Sequence, residues 1–555
     1  MAGPLARGER GPRTHADIGS LEIRGLLAVV LGALLLFTYG LGAGALWEHD
    51  EPTYTQAARE MLQTRDPITM HLNGQPWFDK PPLFMWLQAL TGSVFGFTTF
   101  TVRVWSAVFG GVCVVAVFLI ARLLHGPPTA LLASAVLATT MQFVASSRIA
   151  ILDTTLLAFM LLAFYAYLVG HMTGSRRAYL WAFACAGLAT LAKGPIGLVL
   201  PAMAVVALWA LRREWWRWRQ IPVWGLLIFA AIGLSWYAIE TLRHGAEFLR
   251  ITVGQYMIGR VTGVIDNQPG PLWFYVPVLP IGGFPWAAFF PSAIIYALRH
   301  RRDLAGQVVL ASVGVPLALF SIAGTKTVNY ILPVYPFLAI GVARLWRGAL
   351  DGSQEEKRLV QWAFGLMLVW VAAALAVAGI VGLVRYPLEV EALRIPLFVL
   401  AGVMAAGPLV AVAAHAMRRD TVALAAVLLT PVLMMPVLVH HTLPAIEAQR
   451  ALPRIARTIH DLARPGDHVA AVQMPEIASL IYYGERPVIE VRGAQALDRT
   501  LCLHGRLFLV TPEQVYLEWV GGRLPSGVQE QGRDGGYRIL FKSGPTRCDG
   551  DRPLR

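Results

Sequence analysis

The sequence predicts a polytopic α-helical membrane protein of about thirteen spans followed by a small soluble α/β domain. Three observations lead there. Of 555 residues, 56% are hydrophobic and 15% charged, with a mean hydropathy of +0.55, whereas soluble domains run near one quarter charged. Apolar runs of about 20 residues, the length that crosses a bilayer core, recur as far as residue 440. Beyond it charge and glycine rise, and the apolar runs shorten to strand length. Disorder and coiled coil are excluded by the same composition.

The net charge of +13 is a topology signal and not a nucleic-acid surface. Basic residues come in bursts between apolar runs: Arg176-Arg177, Arg212-Arg213, Arg217 and Arg219, Arg299 with Arg301-Arg302, Arg344 and Arg347, Arg418-Arg419. With Arg122, Lys357-Arg358 and the N-terminal arginines they carry roughly +11 of the total, and such an excess in short loops marks the cytoplasmic side. The basic N-terminus runs into an apolar stretch near 23–46 with no small-residue cleavage site, as a retained first span would.

The trace then follows in order. Residues 47–102 form a first outward loop, in which 81–98 is a short apolar helix lying near the membrane surface. Spans lie near 103–124, 128–147, 152–172, 178–192, 195–212 and 222–242. A second outward loop, 243–271, precedes spans near 272–298, 305–324, 328–346, 359–384, 394–417 and 421–440. Counting 81–98 as a span would move Arg176-Arg177 and Arg212-Arg213 outside, against the charge bias. The domains are therefore 1–440, in the membrane, and 441–555, with strands at His468–Gln473, Pro487–Val491, Leu507–Val510 and Tyr537–Phe541 and helices at Ala445–Leu462 and Glu476–Tyr482. Cys113 and Cys185 sit in apolar runs and read as buried. This topology puts Cys502 and Cys548 in an oxidising compartment, where a disulfide across about 46 residues would contribute roughly 4 kcal/mol in the chain-entropy model.

Polar residues flanked by apolar sequence collect on the outward side. Asp50 and Glu51 directly follow span 1, before Pro52, Thr53 and Tyr54. They read either as the acidic first turn of a helix or as active-site acids. Trp77-Phe78-Asp79-Lys80-Pro81-Pro82 places a cation at the head of the short helix, snorkelling to headgroups or contacting a phosphate. Arg148 and Asp153 mark the turn between spans 3 and 4, where an acid is expensive unless it caps or functions. Lys193, before Gly194-Pro195, is placed to neutralise Asp50 or Asp153. Lys326, Asn329 and Tyr330, followed by Pro333 and Pro336, form a turn that looks ligand-facing. In the second loop Arg260 suits bidentate phosphate binding. His244 and Glu247, three apart, are the one candidate for a divalent cation, and two ligands do not define a site. There is no phosphate-binding Gly-x-x-x-x-Gly-Lys loop, paired-Cys zinc motif or His-Glu-x-x-His.

Taken in order, the acid pair after span 1, Phe78-Asp79-Lys80-Pro81-Pro82, the Arg148…Asp153 turn, Leu191-Ala192-Lys193-Gly194-Pro195 and Tyr330-Ile331-Leu332-Pro333-Val334-Tyr335-Pro336 resemble the GT-C membrane glycosyltransferases, and within them the aminoarabinose transferase family, akin to the protein O-mannosyltransferases. The motifs cover about 1–350; the span pattern and α/β tail extend the likeness over the whole chain.

The resemblance implies an undecaprenyl-phosphate-linked sugar donor, 4-amino-4-deoxy-L-arabinose, a lipid A phosphate acceptor, and a monomer among membrane lipids in the bacterial inner membrane. The active site and C-terminal domain would be periplasmic. It implies Asp50 as principal catalytic carboxylate, Asp153 as second acid, Glu51 beside them and Lys193 setting their charge. Lys80, Arg260 and Tyr330 would hold the donor phosphate, with Tyr54, Arg148, Lys326 and Asn329 completing the substrate-binding set. The sugar–phosphate bond is already activated, so no ATP is needed, and positioned cations neutralise the leaving phosphate. A phosphate acceptor is already anionic, so Asp50 would orient it, whereas a Ser/Thr acceptor would demand a true base. Transfer of another sugar, or to protein, is the alternative within this chemistry. A secondary transporter, the alternative outside it, places ionisable groups near the midplane and often shows repeated halves.

Overall fold

The computed structural model describes residues 19–264, 268–383, 388–520 and 527–544. The membrane part begins with α1 (Ser20–Thr38), followed by the first loop with α2 (Asp50–Thr64), the hairpin β1 (His71–Leu72) and β2 (Gln75–Pro76), and α3 (Leu83–Phe95). Then come α4 (Thr99–His125), α5 (Pro127–Ala138), α6 (Met141–Ser146), α7 (Asp153–Thr173), α8 (Arg176–Lys193) and α9 (Ile196–Arg212). After α10 (Val223–Gly233) and α11 (Ser235–Phe248), a π-helical stretch Leu249–Ile258 leads to α12 (Gly259–Thr262). The remaining membrane helices are α13 (Tyr275–Gly282), α14 (Phe290–Arg299), α15 (Leu304–Ile322), α16 (Tyr335–Leu350), α17 (Gln354–Leu383), α18 (Leu388–Ala416) and α19 (Asp420–Val437).

Each of the thirteen expected spans is helical, but not all are single full-length rods. Among the described residues eight helices are long and apolar enough to cross a bilayer. Span 7 is the bent pair α10 and α11, the latter with its π-helical continuation to Ile258, kinked by 51°. Spans 3, 6 and 8 are shorter apolar pieces. The breaks have local causes. Thr139-Thr140 separate α5 from α6, and Gly194-Pro195 divides α8 from α9, with Gly194 at φ +91. The 81–98 segment is the short helix α3.

The membrane helices close on one apolar core that runs from Phe37 and Phe118 to Trp286, Tyr335 and Trp346. A second core lies under the first loop, where Leu46, Tyr54, Met61, Phe78, Phe84 and Trp236 pack together.

A short helix α20 (Leu443–Glu447) leads into the C-terminal domain. Its helices are α21 (Ala451–Leu462), α22 (Ala478–Gly484), α23 (Ala494–Leu501) and α24 (Glu513–Val520). Its strands are β3 (His468–Val472), β4 (Val488–Val491), β5 (Leu507–Pro512), β6 (Val528–Asp534) and β7 (Tyr537–Lys542), in sheet order β4-β3-β5-β7-β6. β3 pairs in parallel with β4 and β5, and β7 pairs antiparallel with β5 and β6. Alternate residues of β3 and β5 enter opposite cores: Val469, Phe508 and Val510 on one side, Ala470, Val472, Leu507 and Leu509 on the other. The expected Ala445–Leu462 helix is interrupted at 448–450, and β6, α23 and α24 add to the expected elements. Cys502 is disulfide-bonded; Cys548, its expected partner, lies outside the described residues.

The domain is fastened to the first loop by polar contacts. Asn73-Gly74 turns the β1–β2 hairpin with φ of 56 and 75, the left-handed pair that suits Asn-Gly. The Asn73 amide then caps the exposed edge of β4: its Nδ2 donates to Val488 O at 2.8 Å, and Val488 N–H donates to its Oδ1 at 2.9 Å. Tyr483 Oη accepts from Leu46 N–H at 2.7 Å, and Arg59 donates to Tyr482 O at 2.9 Å. Glu48 accepts from Ser479 Oγ at 2.6 Å and lies 3.3 Å from Arg450. Burial pushes the Glu48 carboxyl above its ordinary range, against the pull of Ser479 and Arg450. Asn73→Ala leaves an edge N–H and C=O without this partner and should cost about 1–3 kcal/mol of docking. Limited proteolysis between the two parts is expected to accelerate; an unchanged digestion rate would remove Asn73 from the fastening.

Candidate active site

The site is built around a buried ion pair. Glu51 is fully buried in the first turn of α2, and Arg103 is buried near the start of α4. Arg103 Nε and Nη2 bind the two carboxylate oxygens at 2.7 and 2.6 Å, the bidentate fork of guanidinium and carboxylate. Arg103 also donates to the carbonyls of Leu41, Ala43 and Ala45, so all five of its N–H donors are engaged. Glu51 further accepts from the backbone N–H groups of Trp47 and Ala150. One carboxylate therefore ties together the chain leaving span 1, α2, α4 and the turn leading to Asp153. Glu51, expected beside the catalytic acids, holds this frame and is fully buried.

Asp50, next to it, is exposed at the start of α2 and accepts from Tyr54 Oη at 2.9 Å. Tyr54 is held well above its ordinary pKa of 10.0 by burial and then by the charges of Asp50, Asp79 and Asp153. The phenol thus stays protonated as a donor among three acids.

A cavity of about 300 Å³ is lined by Asp79, Lys80, Asp153, Lys193, Arg260, Asn329 and Tyr330, and neither Asp50 nor Tyr54 is among its lining residues. Its walls are mainly apolar, with Leu156, Leu200, Leu319 and Phe320 among them. Six widely separated sequence segments meet there. Lys193 Nζ donates to Asp153 Oδ1 at 2.7 Å, so Lys193 neutralises Asp153 as one of its two expected partners. Arg260 Nη1 donates to Tyr330 Oη at 3.3 Å. Asp79 Oδ1 lies 2.6 Å from Lys80 Nζ and 3.9 Å from Arg260, ion contacts without hydrogen-bond geometry. Burial draws the Lys80 ammonium below its ordinary 10.5, opposed by Asp79 and reinforced by Arg260. The Tyr256 ring lies 5.5 Å from the Lys80 ammonium and 5.6 Å from the Arg260 guanidinium, within cation–π range of both.

Backbone contacts bring these segments into register. Thr252 Oγ1 donates to Phe78 O at 3.0 Å, joining the second loop to the strand before Asp79. Thr325 N–H donates to Arg260 O, and Gln142 Nε2 donates to Val328 O, which set the turn carrying Asn329 and Tyr330.

Three expected ligand groups lie elsewhere. Arg148 donates to the carbonyls of Leu36, Phe37 and Tyr39, closing the C-terminus of α1. Lys326 donates to Phe320, Ser321 and Ala323 and closes α15 in the same way. The last carbonyls of a helix lack intrahelical donors, and little water is at hand to supply them in an apolar medium. His244 and Glu247 do not share a helix face, because Gly245 between them leaves the helix at φ 58, ψ −133. His244 instead lies 3.2 Å from Thr69 Oγ1 and 3.5 Å from Glu240. No group of three His, Cys, Asp or Glu gathers among the described residues.

Sequence reasoning missed Arg103, Asp79, Tyr256 and Tyr237, whose hydroxyl is buried at the cavity without a partner. Arg103 was legible as a lone charge entering an apolar run, and Asp79 stood inside a quoted motif. Nothing in the sequence singles out the two tyrosines.

Residues 22–243 match the family model described as dolichyl-phosphate-mannose-protein mannosyltransferase. An uncharacterised protein of Aquifex aeolicus is 30% identical over 355 residues, 63% of this chain and 68% of that one. An undecaprenyl phosphate-alpha-4-amino-4-deoxy-L-arabinose arabinosyl transferase of Pectobacterium carotovorum is 30% identical over 370 residues, 64% of this chain and 66% of that one. The fold matches the crystal structure of ArnT from Cupriavidus metallidurans bound to undecaprenyl phosphate, with a TM-score of 0.79 over 94% of this chain and 99% of that chain at 23% identity. The chain has the GT-C fold.

The protein gathers the cavity's acids and cations at helix ends on one face of the membrane part, the face to which the C-terminal domain is fastened. Its frame predicts a separation of effects. Arg103→Ala leaves a buried carboxylate unpaired and should destabilise by about 3–5 kcal/mol, read as a lowered melting temperature of the purified protein in detergent. Lys193→Ala, at the cavity wall, should lower activity with a smaller change in melting. Equal melting of wild type and Arg103→Ala would refute the role given to this pair.

Proposed function

We propose that this glycosyltransferase moves 4-amino-4-deoxy-L-arabinose from undecaprenyl phosphate to a phosphate of lipid A. The observation that carries the reading is one apolar-walled cavity whose floor holds Lys80, Arg260 and Tyr330 together, with the Asp153–Lys193 pair beside them. A long prenyl chain would occupy the apolar part, with its phosphate among the cations. The likeness to the Pectobacterium transferase supports this choice of sugar and donor.

In this reading an oxygen of the acceptor phosphate attacks the anomeric carbon. The bond from that carbon to the donor phosphate oxygen breaks, and undecaprenyl phosphate leaves with the electron pair. Lys80 and Arg260 neutralise the charge that develops on the leaving phosphate, and Tyr330 donates to it. Lys80 and Arg260 supply positive charge for this step from the chain itself. Asp50, oriented by Tyr54, faces the acceptor and the amino sugar. Asp79 serves as the counter-anion of Lys80 and Arg260 until the donor phosphate displaces it. The basic bursts at the opposite ends of the spans support a bacterial inner-membrane protein with its cavity and C-terminal domain in the periplasm, acting as a monomer.

The test is transfer of labelled sugar from undecaprenyl phosphate to lipid A by purified protein in nanodiscs. The mannosyltransferase family match favours a second reading, in which a Ser/Thr residue is the acceptor; transfer to peptide but not to lipid A would select it. Asp50→Ala is expected to abolish transfer with melting unchanged, and normal activity would return Asp50 to a helix-cap role. Lys80→Ala and Tyr330→Phe should raise the KM for donor more than for acceptor; equal rises would remove them from the donor phosphate. Asp79→Asn removes a competing anion and should tighten undecaprenyl phosphate binding severalfold, measurable by thermophoresis, while weaker binding would contradict the displacement.

A further inference from the structure

The 3-10 turn Trp215–Gln220 joins α9 to α10. It sits at the end of α9 remote from the cavity, which is lined by Ile196, Val199 and Leu200 at the other end, about 25 Å away along 17 residues. A 3-10 helix repeats every three residues, so the turn has three distinct faces. Arg217 and Gln220 share one, and that face is anchored. Arg217 binds Glu214 at 2.6 Å and donates to His171 O at 3.1 Å, while Tyr179 Oη donates to Gln220 at 3.3 Å. The turn is therefore held rigidly against the α7–α8 connection.

The other two faces are open. Trp215 and Trp218 share one and are 54% and 61% exposed; Trp216, 53% exposed, shares the other with the exposed Arg219. Arg219 lies over the Trp218 ring at 5.7 Å. Arg176 and Arg177, at the start of α8, and Arg213 are exposed and have no carboxylate partner among the described residues. Segments 171–179 and 212–220 together hold six arginines against one glutamate, and that glutamate is already engaged by Arg212 and Arg217.

We propose that this face is a binding site for anionic phospholipid. An indole with an apolar body and a polar N–H is placed best at headgroup depth, where one side is wet and the other apolar. Guanidinium groups supply planar two-donor recognition of phosphate oxygens. Net positive charge that the protein does not neutralise selects a lipid with a net negative headgroup over a zwitterionic one. The 3-10 geometry directs the indoles outward, and the anchored third face keeps them there, so the surface is preformed.

The experiment is native mass spectrometry of the full-length protein released from micelles holding equal amounts of phosphatidylglycerol and phosphatidylcholine. Phosphatidylglycerol should be retained over phosphatidylcholine by roughly tenfold, with each arginine contributing up to about fivefold. The variant R176Q/R177Q/R213Q/R219Q should lose the preference while keeping its melting profile; should it fail to fold, R213Q/R219Q serves in its place. Replacing the same arginines with lysine should preserve most of the preference, and W215A/W216A/W218A should reduce retention of both lipids. Equal retention by the wild type, or an undiminished preference in the glutamine variant, overturns the proposal. Neither measurement involves sugar transfer, so failure here leaves the transferase reading intact.

Discussion

A charge buried in an apolar environment must be neutralised and hydrogen-bonded, and the Glu51–Arg103 pair meets that requirement completely. Its consequence is geometric. The five donor and about four acceptor positions of such a pair can be filled only if several chain segments converge on it, and here those segments are the residues leaving α1, the first turn of α2, α4 and the turn at Ala150. Asp50 follows from one of these segments and Asp153 from another. The spacing of the two acids is thereby set by a buried pair that lies between their segments.

The cations divide by the same rule. Arg148 and Lys326 go to the carbonyls that end α1 and α15, while Lys80, Lys193 and Arg260 meet acids or the phenol at the cavity. Both uses satisfy groups that an apolar medium would otherwise leave unpaired. Side-chain type does not distinguish them; the nearest unsatisfied acceptor does. The C-terminal domain extends the arrangement, because Glu48, two residues before Asp50, is held by Ser479 and Arg450. A domain far along the chain thus limits the freedom of the first loop.

The legible features were those with a strong local period or a long ordered motif. Span positions followed from hydropathy, and four strands of the C-terminal sheet followed from short apolar runs. The strand Val528–Asp534 was hidden because its sequence is Gln-, Glu- and Gly-rich and one face of that edge strand stays wet. The Asn73-Gly74 turn carried a recognisable hairpin signal, but its strands are two residues each and offer no alternation to read. His244 and Glu247 were paired by helical spacing, and a single glycine in the left-handed region removed that spacing.

By itself the sequence determined that the chain is a many-span membrane protein, and it singled out Lys80, Asp153, Lys193, Arg260 and Tyr330, which the structure places around one cavity. Hydrophobic length, charge bias and motif order are local or additive quantities, so one chain suffices to read them. Only the tertiary structure decided that Glu51 frames the site, that Lys326 and Arg148 close helices, and that Tyr256 and Asp79 each lie against both Lys80 and Arg260. Those outcomes depend on which acceptor lies within about 3 Å of a donor, and that is settled by how the segments fold and pack together.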